Sequence, residues 1–306
     1  MLLSRIQNRL QNKVSLKKIV VLSLSLMALS ACASPAPMGY LPPVNRGYAQ
    51  PQQMGYRGPA MLNSFGAPNR APMLGFSTAP ASVPNGYYQG AEGQRGAQLL
   101  GALSQIVSRH VDLGYDGARD IMFGIADDPT DTDVVACVYT QRQLSGVTNS
   151  GDAYRNGQGL NTEHTWPKSK GAAGGPAKGD LHHLFPTDVD TNSKRSSFPF
   201  GEVVRVQYEN GGSKLGLNAQ GQTVFEPRDD HKGNVARALF YFYTVYGRNA
   251  STDNFRIEEP VLHKWHAMDP VDALEQRRNN VIFEYQKNRN PYIDRPEFVS
   301  LIGRFQ

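Results

Sequence analysis

Between residues 97 and 111, apolar side chains fall at 99, 100, 103, 106 and 107, the three- and four-residue spacing of a helix with one buried face. A second helix is predicted over 115–125, with Ala118, Ile121 and Met122 on one side. An acidic turn from Asp127 to Asp133 separates it from a β-branched run, 134–139, that reads as a strand. That turn lacks the Gly and distal Glu of a calcium loop, so a solvated turn is the simpler expectation. Residues 160–165 alternate as a short strand that Pro167 would end, and 180–185 read as another. Pro186 fits a helix start, and Asp188 and Asp190 suit the positive end of that helix. Asn192 would then sit about a turn and a half inside it. A strand over 203–208 and a hairpin turn at Asn210-Gly211-Gly212 follow. Helices are predicted at 235–246, 261–268 and 272–286, the last with Leu274, Val281, Ile282 and Tyr285 at core positions. Strands and helices do not alternate as βαβα, so the pattern predicts a helix-rich α+β domain rather than a doubly wound sheet.

The first third of the chain has a different composition. Arg5, Arg9, Lys13, Lys17 and Lys18 precede an apolar stretch from 19 to 29, which ends in Leu29-Ser30-Ala31-Cys32. A basic start, a short apolar core and small residues make an export signal over 1–31. A cysteine at that point resembles the bacterial lipobox, which implies lipidation of Cys32 and a membrane anchor. Ala33, where an Asp would favour inner-membrane retention, points to the outer membrane, facing periplasm or exterior. Residues 32–93 form the expected linker: Pro- and Gly-rich, with Gly-Tyr at 39–40, 47–48, 55–56 and 86–87. So little apolar surface predicts disorder there. The globular domain is assigned to 94–306.

The formal charge of +5 equals the contribution of the five basic residues in the export signal, so global charge is no argument for nucleic-acid binding. Residues 155–205 do lean positive, through Arg155, Lys168, Lys170, Lys178, Lys194, Arg195 and Arg205. With Cys32 lipidated, Cys137 has no disulfide partner, and its β-branched neighbours predict a small buried hydrophobe.

The chemistry is concentrated in Asn161-Thr162-Glu163-His164-Thr165-Trp166-Pro167, Gly179-Asp180-Leu181-His182-His183-Leu184-Phe185-Pro186 and Asn192-Ser193-Lys194-Arg195. A neutral histidine can take a proton from water near pH 7. A carboxylate and an amide oxygen suit a hard divalent cation. His182 and His183, with Asp188 or Asp190, would suit zinc less well, because adjacent strand residues point apart.

This ordered set resembles the bacterial endonuclease I family, secreted or periplasmic nucleases built on a ββα-metal (His-Me) finger. Further matching segments are Phe225-Glu226-Pro227, Trp265, Asp269-Pro270-Val271 and Asn288-Arg289-Asn290-Pro291-Tyr292. The resemblance implies that His164 is the general base and that Glu163 and Asn192 hold one divalent ion, Mg²⁺, with Mn²⁺ or Ca²⁺ as substitutes. Arg195, one turn after Asn192, would contact phosphate. The implied substrate is DNA, with RNA as a further one, cut to 5′-phosphate products; the chain itself is expected to be a monomer. Relatives with a longer insertion carry a phosphate-binding arginine there. Here the link is short, leaving Lys168, Lys170 and Lys178 as candidates. Asp180, His182 and His183 would support the site from beneath. The competing reading is a non-catalytic surface lipoprotein that binds through a degenerate nuclease fold and the Tyr/Pro tail.

Overall fold

The computed structural model describes residues 83–306, so the export signal, Cys32 and most of the linker lie outside the described residues. Residues 83–93, assigned to the linker, belong to the packed fold. Tyr88 and Ala91 are buried, and the Tyr88 ring meets Phe298 edge-on at 5.8 Å. The low average hydrophobicity of the preceding stretch concealed these two anchors.

Helix α1 (Gly96–Val107) buries Leu99, Leu103 and Val107, as its spacing requires. Helix α2 (Tyr115–Ile121) continues into a wider π-type turn over Met122–Ala126. Two short strands, β1 (Val134–Ala136) and β2 (Gln143–Ser145), pair antiparallel, and α3 (Ser150–Tyr154) leads into β3 (Leu160–His164). Strand β3 pairs antiparallel with β4 (Leu184–Asp188), and α4 (Val189–Arg195) follows at once. The strand–strand–helix order is as expected, but its internal boundaries differ.

Residues 177–183 form two tight helical turns instead of a strand, and Pro186 lies within β4 instead of opening a helix. Pro186 is tolerated because its carbonyl faces away from β3, where it accepts from Val138 N at 3.0 Å, so its missing N–H costs the β3–β4 ladder nothing. Asp188 opens the helix, accepting from the amides of Asp190 and Thr191. Asn192 is thus one turn into α4.

A three-stranded antiparallel sheet follows: β5 (Arg205–Asn210), β6 (Ser213–Leu217) and β7 (Thr223–Glu226). The β5–β6 turn places Gly211 and Gly212 at φ 59° and 91°, a left-handed pair that glycine adopts readily and few other residues do. Helix α5 (Lys232–Tyr246) runs through the core and buries Val235, Leu239, Phe240, Tyr241 and Phe242. Helices α6 (Asp253–Met268), α7 (Ala273–Gln286), α8 (Pro291–Asp294) and α9 (Glu297–Ile302) complete an α+β domain.

The core face expected for α7 is corrected. Leu274 is 58% exposed, whereas Glu275, Arg278, Asn279 and Gln286 are buried beside Ile282. These polar groups are matched. Glu275 pairs with Arg237 at 2.7 Å, and Arg278 bonds Asp127 together with the carbonyls of Leu181 and Leu184. Apolar residues at helical spacing located the helix, but they cannot identify an inner face built from paired polar groups.

The acidic turn is likewise less solvated than expected. Asp128 is buried and accepts from the amides of Thr132 and Asp133. Cys137 is buried as predicted, with its sulfur accepting from Thr140 N and Asp188 N.

Candidate active site

Strand alternation sorts the motif residues onto two faces of β3: Asn161 and Glu163 on one, Thr162 and His164 on the other. On the first face, Glu163 is buried, and its Oε1 accepts from the Tyr139 hydroxyl at 3.0 Å. Arg195 Nε lies 3.2 Å from the same oxygen, as an ion pair without hydrogen-bond alignment. Burial raises the Glu163 pKa, while Arg195 and the Tyr139 hydroxyl pull it back.

Asn192 is placed by its amide nitrogen, which donates to Asn161 Oδ1 at 2.8 Å and to the Thr162 carbonyl at 3.3 Å. Asn161 Oδ1 is fixed in turn by the Thr187 hydroxyl. Both acceptors select the –NH₂ end of the Asn192 amide, so its carbonyl oxygen is the end left for a ligand.

On the second face, His164 is 5% exposed, and its Nε2 lies 3.1 Å from the main-chain carbonyl of Lys178. A carbonyl only accepts, so Nε2 carries the proton and the basic lone pair is on Nδ1. Burial, then His183 and Lys168, lower the His164 pKa well below 6.5. The imidazole is therefore neutral at pH 7, as a base must be.

Below the pair, His182 and His183 face different walls. His182 packs on Tyr241 with Nε2 at 3.3 Å from the Asn288 carbonyl, and His183 donates to the Ala177 carbonyl at 2.7 Å. Burial lowers both to a pKa of about 4, so both are neutral. Asp180 is fully enclosed by the hydroxyls of Tyr241 and Tyr246, Gln286 Nε2 and the amide of His182. Burial alone would raise its pKa, but the neighbouring histidines and Gln286 hold it below the usual carboxylate range. Among the described residues, no three His, Cys, Asp or Glu side chains gather as a metal cluster. A site with one carboxylate and one amide as its protein ligands needs no such cluster.

Arg195, expected to contact phosphate, is enclosed. Arg195 is 1% exposed, with terminal nitrogens on the carbonyls of Ser196 and Thr165 and its guanidinium 4.5 Å over the Phe200 ring. It braces Glu163 and does not face a substrate in this structure. The helical spacing from Asn192 was right, but the side chain turns inward because Glu163 lies there.

Lys168 is exposed, Lys170 and Lys178 are half-buried, and the Lys178 ammonium sits 4.5 Å from the centre of the Tyr115 ring. Sequence reasoning missed Tyr139, Tyr115 and Arg119. They lie up to 49 residues before His164, and no local pattern ties them to the motif.

Residues 95–297 match the family model described as Endonuclease I. The chain is 36% identical over 249 residues to the extracellular ribonuclease of Bacillus subtilis (strain 168), covering 75% of this chain and 82% of that one. It is 28% identical over 118 residues to an extracellular deoxyribonuclease of Aeromonas hydrophila, covering 39% of this chain and 50% of that one. A match of 28% over 114 residues to Endonuclease-1 of Buchnera aphidicola subsp. Acyrthosiphon pisum (strain APS) covers 37% and 44%. Together with the strand–strand–helix unit, these matches lead to one assignment: the chain belongs to the endonuclease I family and is a nuclease, a hydrolase of phosphodiester bonds.

Proposed function

We propose that this chain is an exported, divalent-metal-dependent endonuclease that cuts RNA and DNA without regard to sequence, leaving 5′-phosphate ends. His164 is the general base, and Glu163 and the Asn192 carbonyl oxygen hold the ion. The observation that carries the reading is the His164 ring: its Nε2 is tied to the Lys178 carbonyl, it is neutral, and it adjoins Glu163 in the chain. A bound Mg²⁺ ion would offset charge on the phosphate and on the departing oxygen.

The protein's own tasks follow from the geometry. The Lys178 carbonyl fixes the tautomer, so Nδ1 of His164 receives the proton of the attacking water. Tyr139 and Arg195 hold Glu163 by Oε1, orienting the carboxylate. Asp180, His182 and His183 keep the turns beneath the site rigid through buried bonds to Tyr241, Asn288 and Ala177.

The two ribonucleases that match more than seventy per cent of the chain move RNA from a secondary to an equal substrate. Backbone recognition serves both sugars. The extracellular and periplasmic relatives support export, and the lipobox-like segment at Cys32 supports a lipid anchor in the outer membrane. Purified full-length protein should cut plasmid DNA and RNA with Mg²⁺ and stop with chelator, and His164→Ala should slow cleavage by roughly 10²–10⁴. Activity undiminished by chelator would remove the ion from the reaction.

A further inference from the structure

Arg195 is enclosed, so the site needs another cation to grip the substrate. On the His164 face of β3, the side chain of Arg119 reaches the strand from α2, its Nε donating to Thr162 Oγ1 at 3.2 Å. Its guanidinium carbon stands 5.2 Å from the centre of the Tyr115 ring, and Lys178 Nζ stands 4.5 Å from the same ring. That ring is 5.6 Å from the imidazole of His164. Two cations are therefore gathered on one aromatic side chain beside the base.

Their charge is poorly compensated. Arg119 pairs with Asp116 at 3.8 Å, whose side chain is 86% exposed, and an exposed pair of that kind contributes little. No carboxylate pairs with Lys178 among the described residues. Cation–π contact offsets some of the repulsion, and an anion between the two would offset more. The Arg119 side chain is 22% exposed, so an anion can reach it.

The cluster is fixed by backbone packing. A Cβ on Gly179 would meet the Gly114 carbonyl oxygen at 3.1 Å, so glycine at 179 lets the turn carrying Lys178 lie against the start of α2. Lys178 also supplies the carbonyl that orients His164, which links grip and base through one residue.

We infer that Arg119 and Lys178, seated on Tyr115, clamp a backbone phosphate of the nucleic acid next to the one being cut. This rests on the nuclease reading and supplies the substrate grip that Arg195 does not. The clamp touches phosphate alone, so it acts equally on RNA and DNA.

The test is binding of a short labelled duplex by the full chain carrying His164→Ala, with Mg²⁺ present, followed by anisotropy across a salt series. Adding Arg119→Gln should weaken binding about tenfold and reduce the slope of log affinity against log salt by about one. Lys178→Gln should act likewise, and Arg119→Lys should keep the slope. In the otherwise wild-type enzyme, Arg119→Gln should raise KM more than it lowers kcat. Thermal melts accompany each variant, and if Arg119→Gln does not fold, Lys178→Gln and Arg119→Lys decide. Unchanged affinity and slope in the folded variants overturn the clamp. If His164→Ala itself cleaves at the wild-type rate, the general-base reading fails, and the KM-against-kcat split of Arg119→Gln still judges the clamp separately.

Discussion

Replacing Arg195 with Leu separates a brace from a substrate contact. In the folded protein the guanidinium is 1% exposed, 3.2 Å from Glu163 Oε1, and bonded to two main-chain carbonyls. Leucine fills part of the volume over Phe200 but leaves the Glu163 carboxylate buried with only the Tyr139 hydroxyl as a side-chain partner. Breaking one half of a buried pair costs about 3–5 kcal/mol. For a domain of this size, each kcal/mol lowers Tm by roughly 2–4 °C, so the variant should melt roughly 6–20 °C lower. Removing the charge on both sides, with Glu163→Gln added, should recover much of that loss, a non-additivity of more than about 1 kcal/mol.

The deficit should also depend on pH. Without Arg195 the Glu163 pKa rises further above its ordinary value, so between the unfolded and folded values the folded state holds the extra proton. Stability then falls as pH rises through that window, and the deficit of Arg195→Leu should be smaller at pH 5 than at pH 7. Differential scanning calorimetry of the wild type, both single variants and the double variant at two pH values gives the cycle. A wild-type Tm for Arg195→Leu, combined with a weaker salt dependence of binding, would refute the brace and restore the phosphate contact.

Further outcomes follow from the same geometry. The acidic limb of kcat/KM should lie below pH 6.5, because burial and then His183 and Lys168 lower the His164 pKa, and a limb centred at or above 6.5 would contradict this. His183 titrates at about 4 when folded and near 6.5 when unfolded. Its contribution is complete above pH 6.5 and lost as pH falls toward 4, to a ceiling on the order of 3 kcal/mol. Urea midpoints of His183→Gln should therefore vary with pH less than those of the wild type by about one proton, and parallel curves would place the charge elsewhere. Cys32→Ser should abolish lipid attachment and release the protein from the membrane fraction with its specific activity intact. Wild-type protein found soluble with a free Cys32 thiol would dismiss the anchor.

The strand–strand–helix unit that carries Glu163, His164 and Asn192 was legible in the sequence because its residues lie in short, contiguous segments. The helices α1 and α5 were legible because their apolar residues recur at helical spacing. The turn at Gly211-Gly212 was legible because few residues other than glycine adopt its backbone angles. Local patterning could not assign the sides that residues face. Helix α7 turns Arg278 and Gln286 inward because their partners, Leu181, Leu184 and Asp180, arrive from almost a hundred residues or more away in the chain. Arg195 is enclosed because Glu163 meets it in the interior, and the Tyr115 ring under Arg119 stands 5.6 Å from His164 where Gly179 lets two backbones touch. Charge partners are chosen by proximity in space, and a buried charge must find one. The sequence by itself determined which groups are candidates for the chemistry, and only tertiary packing decided which of them are enclosed and which are left open to solvent.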